Sequence, residues 1–155
     1  MAEEIIEVPY TWEIPFRYTA GKVLSKFFQA LKEKKIIAVR CPKCQRVLLP
    51  PRAFCEMCYV PLSEWVEVGD TGIIRAFQIC CQQFLGAPQP PWASGLINLD
   101  GVDTAMLHFI GGVDLENIQQ AKEAIKIGTR VKAVWSEERK GVITDIQYFK
   151  PVELL

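Results

Sequence analysis

The chain has 155 residues, half of them apolar and 23% charged, enough to bury a core as one domain or as two small units sharing a face. This composition excludes a disordered tail, and no run approaches the roughly 20 apolar residues that a membrane span requires. Its opening residues, MAEEIIEVPY, are acidic where a secretory signal is basic and then apolar, so the sequence predicts a cytoplasmic protein.

The first eighteen residues, with VPYTWEIPFRY, follow neither the helical nor the strand period and read as an extended arm. Such an arm lies on a surface, either the chain's own core or a partner's. From Thr19 to Lys35, the residues Val23, Leu24, Phe27, Phe28 and Leu31 form one apolar stripe of an amphipathic helix. Two adjacent phenylalanines on that face need a cover.

IIAVR at 36–40 is a short strand leading into a cysteine-rich segment, CPKCQRVLLPPRAFCEMC, at 41–58. LSEWVEV then passes through Gly69 into five β-branched and aromatic runs at 71–81, 94–99, 102–109, 129–136 and 142–149. Asp100-Gly101 signals a tight hairpin between the second and third of these. Between the third and fourth, DLENIQQAKEAI carries Leu115, Ile118, Ala121 and Ile125 at helical spacing, with Asp114 as its expected cap. Five strands with a helix between the third and fourth is the order of an OB-fold barrel, although a small sandwich gives similar runs.

Six cysteines are present. Disulfide frameworks belong to small secreted chains, so in a reducing compartment metal binding is the better reading. Cys41, Cys44, Cys55 and Cys58 form two C-x-x-C knuckles, each able to turn two sulfurs toward one point. Four thiolates satisfy tetrahedral zinc and leave no position open, which predicts a structural ion whose binding folds the segment. Mononuclear iron suits the same ligands, and a redox dithiol or two incidental pairs are the plainer readings. Gln45 and Tyr59 stand where tight knuckles favour glycine.

Charge is uneven along the chain. Between Lys32 and Arg52 seven basic residues face one acid, a local balance of +6, whereas from Ala53 onward eight basic residues face thirteen acidic ones, a balance of −5. Anions are drawn first to the cysteine region. His108, the one histidine, falls within a predicted strand and reads as an ordinary barrel side chain with no catalytic partner nearby. Cys80 and Cys81 read as small apolar filler with at most one sulfur outward. No nucleophile, base or open metal position identifies a free-standing enzyme, and the predicted set of catalytic residues is none.

The order of a leading helix, CPKC…LLPPRAFCEMC, LSEWVEVGDTGIIRAFQI, APQPPW, SGLINLDGVDTAMLHFIGG and IKIGTRVKAVW resembles the acyl-CoA-associated family that joins a rubredoxin-like zinc ribbon to an OB-fold. The likeness runs from about Gly21 to Pro151. It implies a mainly β fold with an N-terminal α-helix: arm and helix over 1–35, zinc ribbon over 36–66, and a five-stranded OB-fold barrel over 67–155. It also implies a non-catalytic small subunit of a heteromeric thiolase or aldolase acting on a coenzyme A thioester, with zinc as its structural metal. The expected assembly is a heterotetramer of small and large chains in pairs, the large chain being thiolase-like and supplying the acyl-transfer groups. Small subunits of benzoylsuccinyl-CoA thiolase, from anaerobic aromatic hydrocarbon degradation, are one such kind. The missing knuckle glycines and a longer insertion at 113–126 depart from the family pattern.

With that family in view, Lys43, Arg46 and Arg52 become candidates to grip the phosphates of coenzyme A, since guanidinium forks match phosphate oxygens. A solvated face, or a patch that docks an acidic partner, is the alternative. A ribbon beside a barrel also suits a nucleic-acid binder, which requires a basic groove with exposed aromatics. The barrel half is acidic, and Trp65, Trp92 and Trp135 lie in apolar surroundings, so this reading ranks second. If the chain is a subunit, apolar surface is expected on the helix phenylalanines, the arm and FLGAPQPPW.

Overall fold

The computed structural model describes residues 7–9 and 14–152; the parts of the predicted arm at 1–6 and 10–13 lie outside them. Helix α1 spans Gly21–Lys32, shorter at both ends than the stripe suggested. It stops because Lys34 adopts a left-handed φ of 62° and the Lys35 amide turns back to the Ala30 carbonyl at 2.9 Å. Phe27 is only 1% exposed and Phe28 packs beside it against the main core. The phenylalanine pair is therefore covered by the chain itself, not left free as anticipated: α1 packs against Ile36–Arg40 and the turn at Ile143–Asp145, and fully burying such a side chain contributes about 1.5–3 kcal/mol.

Strands β1 (Ile36–Arg40), β2 (Val47–Leu48) and β3 (Glu64–Val68) form a three-stranded antiparallel sheet in the order β2-β1-β3. A closed barrel follows, built from β4 (Thr71–Cys80), β5 (Trp92–Leu99), β6 (Met106–Ile110), β7 (Arg130–Trp135) and β8 (Ile146–Pro151). Its strand order is β4-β5-β6-β8-β7, with β4 pairing β7 to close the ring. That is an OB-fold barrel, and the closure removes the sandwich alternative. A bulge between Ile74 and Ala76 lets the ten-residue β4 bend around it. At Gly95 a side chain would meet the Ala76 carbonyl at 2.5 Å, so glycine alone fits between these strands.

Three further predicted boundaries move. The fifth run, expected as strand over 142–149, opens as a 3-10 turn at Ile143–Asp145, so β8 begins only at Ile146. Helix α2 spans Ile118–Ala124 and is capped by Asn117, whose Oδ1 accepts from the Gln120 amide at 3.2 Å. Asp114 instead accepts from the Glu116 amide at 2.9 Å, closing a turn ahead of the helix, so its oxygen serves that turn and not the helix start. The third barrel strand begins at Met106 and not at Val102. The residues before it are diverted: Asp103 Oδ2 accepts from the Val47 amide at 2.8 Å, and the Asp103 amide donates to the Val47 carbonyl at 2.9 Å. Thr104 Oγ1 accepts from the Leu49 amide at 2.8 Å and lies 2.7 Å from the Leu49 carbonyl.

This stitch bonds the barrel to the ribbon's β2, and the core continues across it. Phe27, Leu31, Ile36, Ala38, Val47 and Leu49 belong to the same buried cluster as Ile74, Ile97, Met106, Ile110 and Phe149. A smaller cluster of Val39, Cys41, Leu48, Cys55 and Leu62 sits on the other side of β1, against Trp65. Alternating side chains of one strand thus serve two cores.

Candidate metal centre and its surroundings

β1 delivers Cys41 to the start of the first knuckle. There the Cys41 amide donates to the Arg46 carbonyl and the Gln45 amide to the Cys41 carbonyl, both at 2.9 Å. The second knuckle repeats the pattern: the Cys55 amide donates to the Val60 carbonyl at 2.9 Å, and the Tyr59 amide to the Cys55 carbonyl at 2.8 Å. To close in this way, Gln45 and Tyr59 take φ angles of 63° and 53°. Both occupy the left-handed region, at the positions where glycine was missed.

The four sulfurs lie within 4.8 Å of one another, and those of Cys44 and Cys55 are 3.8 Å apart. A zinc–sulfur bond of about 2.3 Å in a tetrahedron sets sulfurs about 3.8 Å apart, so the cluster has the size and donor set for zinc. Cys41 and Cys55 are buried, and Val39, Leu48 and Leu62 shield that side. The Cys44 amide, directed at the Cys41 sulfur, lowers the Cys41 thiol to about 7. Burial, followed by hydrogen bonds among the neighbouring sulfurs, pushes Cys58 up to about 12. Four thiolates held this close repel one another, and a bound divalent cation would supply the counter-charge.

Of the proposed phosphate contacts, the fold brings Arg46 and Arg52 together around an acid overlooked in the sequence. Arg46 Nη1 lies 3.1 Å from Glu56 Oε1, and Arg52 Nη1 lies 3.2 Å from Oε2. Its own backbone amide first, then Arg52 and Arg46, hold the Glu56 carboxyl below its usual range. The cluster therefore carries one net positive charge. Lys43 is exposed on the first knuckle and makes no ion pair among the described residues. Glu56 escaped notice because the basic run ends at Arg52, four residues before it.

His108 sits on β6, only 7% exposed, with burial lowering its pKa. Its Nδ1 accepts from the Phe109 amide at 2.9 Å, which leaves Nε2 protonated and facing the Ile143 carbonyl at 3.3 Å. Both nitrogens are engaged, as suits a barrel side chain. Beside it lies a cavity of about 290 Å³, lined by Gln78, Trp92, Ser94, Leu107, Phe109 and Ile143. No charged side chain lines it, although it occupies the β5–β6 face on which OB-folds bind oligonucleotides. Cys80 is half-buried near the Gln82 carbonyl and Cys81 is exposed, in line with at most one sulfur outward.

A three-stranded sheet carrying a four-sulfur centre, bonded side by side to a closed barrel, defines a zinc-ribbon and OB-fold protein. Residues 28–62 match the family model described as the ChsH2 rubredoxin-like zinc ribbon domain, and 65–136 match that of the ChsH2 C-terminal OB-fold domain. Together they cover well over half the chain, which belongs to the ChsH2 family.

Among solved structures, a DUF35-family protein from Sulfolobus solfataricus is 26% identical, with a TM-score of 0.58 over 74% of this chain and 78% of that one. A chain of an Ltp2-ChsH2(DUF35) aldolase is 21% identical, with a TM-score of 0.64 over 87% of this chain and 98% of that one. No curated protein matches the sequence. Among the described residues, no helix is long and apolar enough to cross a membrane.

Proposed function

We propose that this chain is a non-catalytic accessory subunit of a heteromeric enzyme acting on acyl-CoA thioesters, with a thiolase-like partner supplying the reacting groups. The observation that carries the reading is the architecture it shares with a chain of the Ltp2-ChsH2(DUF35) aldolase, along nearly the whole of that chain. Two features of this chain support it. The sulfur cluster is a closed ligand set suited to bracing a loop. His108, with both nitrogens occupied, is a poor general base.

Zinc in the four-cysteine centre would supply rigidity. The two knuckles would then hold Lys43, Arg46 and Arg52 at the mouth of the partner's site. Because Glu56 occupies one edge of each guanidinium, Lys43 and the remaining N–H groups make the contact with coenzyme A phosphate. The partner is a thiolase-like chain catalysing either thiolysis or retro-aldol cleavage, in a heterotetramer of small and large chains in pairs, in the cytoplasm. Benzoylsuccinyl-CoA is the thioester to assay first. The nucleic-acid reading receives no support, since the barrel's binding face lacks the cations that track a phosphate backbone.

Native mass spectrometry of the assembly isolated from its own cells tests the proposal. The expected result is a companion chain of thiolase size, with one zinc per small chain. A lone chain carrying nucleic acid would overturn it.

A further inference from the structure

The two knuckles share one backbone plan but differ in what their strained residue does. At Gln45 the side chain stays within its own knuckle: Nε2 donates to the Pro42 carbonyl at 2.9 Å, an internal return for a left-handed backbone. Tyr59 has no such return. Its φ is 53°, its side chain is 84% exposed, and among the described residues its hydroxyl makes no hydrogen bond. A large aromatic residue stands where glycine would be free of strain, and the isolated fold gains little from its ring. Lys34 and Gln45 take the same backbone region in purely local turns, so it is the exposed ring of Tyr59, together with its φ, that points outside the fold.

Tyr59 also has company. Phe54 and Met57, in the same loop, are 56% and 68% exposed. Three large apolar side chains within six residues of a metal-braced turn make a rigid, low-entropy anchor, the composition that interface centres favour. The flank is basic. Arg46 and Arg52 outweigh Glu56, and Lys43 stands on the neighbouring knuckle.

We infer that the second knuckle, through Tyr59, Met57 and Phe54, is the plug by which this chain docks on its catalytic partner. The complementary surface is an apolar socket on that protein, beside the mouth where Lys43 and the free N–H groups of Arg46 and Arg52 meet the coenzyme A phosphate. The inference rests on the accessory-subunit reading and names the surface that reading leaves open. The apolar tip holds the complex, which leaves the basic flank beside it for the phosphate.

Tyr59→Gly separates the two roles of the residue because it moves them in opposite directions. In the isolated chain it removes the left-handed strain and raises the melting temperature by about 2–4 °C. Toward the companion chain recovered with the wild-type protein, it weakens binding at least about tenfold by calorimetry. Tyr59→Phe keeps the ring and retains wild-type affinity, and Met57→Ala weakens binding without raising the melting temperature. Unchanged affinity for Tyr59→Gly, with zinc content equal, overturns the inference and leaves the accessory role standing. A fall in its melting temperature with loss of zinc also overturns it, by giving the ring an internal duty. If the wild-type chain has no catalytic companion at all, the failure is that of the accessory role itself.

Discussion

At the centre of the barrel Ile74, Ile97, Met106, Ile110 and Phe149 are buried among five strands, whereas in the ribbon Val39, Leu48 and Leu62 share their small cluster with Cys41 and Cys55. Two of the ribbon's buried groups thus belong to the sulfur cluster. The barrel, with Phe27 and Leu31 of α1 in its core cluster, removes enough apolar surface from water to hold its own shape. The ribbon has two long loops and little to bury, so it leans on the sulfur cluster and on its stitch to the barrel. Rigidity comes from packing in the barrel, whereas in the ribbon it would come from a metal held by the four sulfurs.

The sharpest way to break this contrast is to remove a ligand. Cys55→Ser is expected to abolish stable metal binding, withdrawing much of the about 10–16 kcal/mol that structural zinc supplies to such peptides. Metal analysis should show its loss, and hydrogen exchange should show amides of 41–60 opening while those of β4 and β5 stay protected. Global unfolding instead would mean that the barrel depends on the metal as well. Phe27→Ala is the converse, costing about 3–5 kcal/mol in a denaturant melt while the zinc content stays unchanged.

Asp103→Ala tests the stitch. The buried Val47 amide loses its carboxylate acceptor, at a cost of about 1–3 kcal/mol, with faster exchange at that amide. The dependence on pH should come from the barrel side. Burial lowers the folded pKa of His108, so below the unfolded value of about 6.5 the unfolded chain takes up the proton first. Stability is full above that pH and declines as pH falls from it toward the folded pKa. His108→Gln should flatten this part of the stability curve. The smallest effect is expected at Gln45→Gly, where relief of backbone strain offsets the lost bond to Pro42, leaving a change within about 0.5 kcal/mol.

Local patterns carried much of this protein. The C-x-x-C spacings named the four cysteines whose sulfurs the fold gathers, because a knuckle is a short-range device in which each pair shares one turn. Even the two residues at glycine positions were visible as departures. Strand runs and the helix between Ile110 and Arg130 yielded the OB-fold order, since period-two burial is written along each strand.

Other features needed the chain folded. Neither period indicates whether an apolar stripe meets its own barrel or a partner, and packing decided that Phe27 and Phe28 belong to this chain's core. The Asp100-Gly101 signal marked a turn but not its length, because Asp103 and Thr104 are taken up by hydrogen bonds to residues 55 or 56 positions away. Glu56 lies ten residues from Arg46, and only the return of the second knuckle alongside the first makes them neighbours. What the sequence determined by itself was what is periodic or local: the cysteines of the sulfur cluster, the strands and their order. Tertiary structure alone decided which surfaces are covered, which charges are neutralised and which strained side chain is left facing solvent, since each depends on distances between segments remote in the chain.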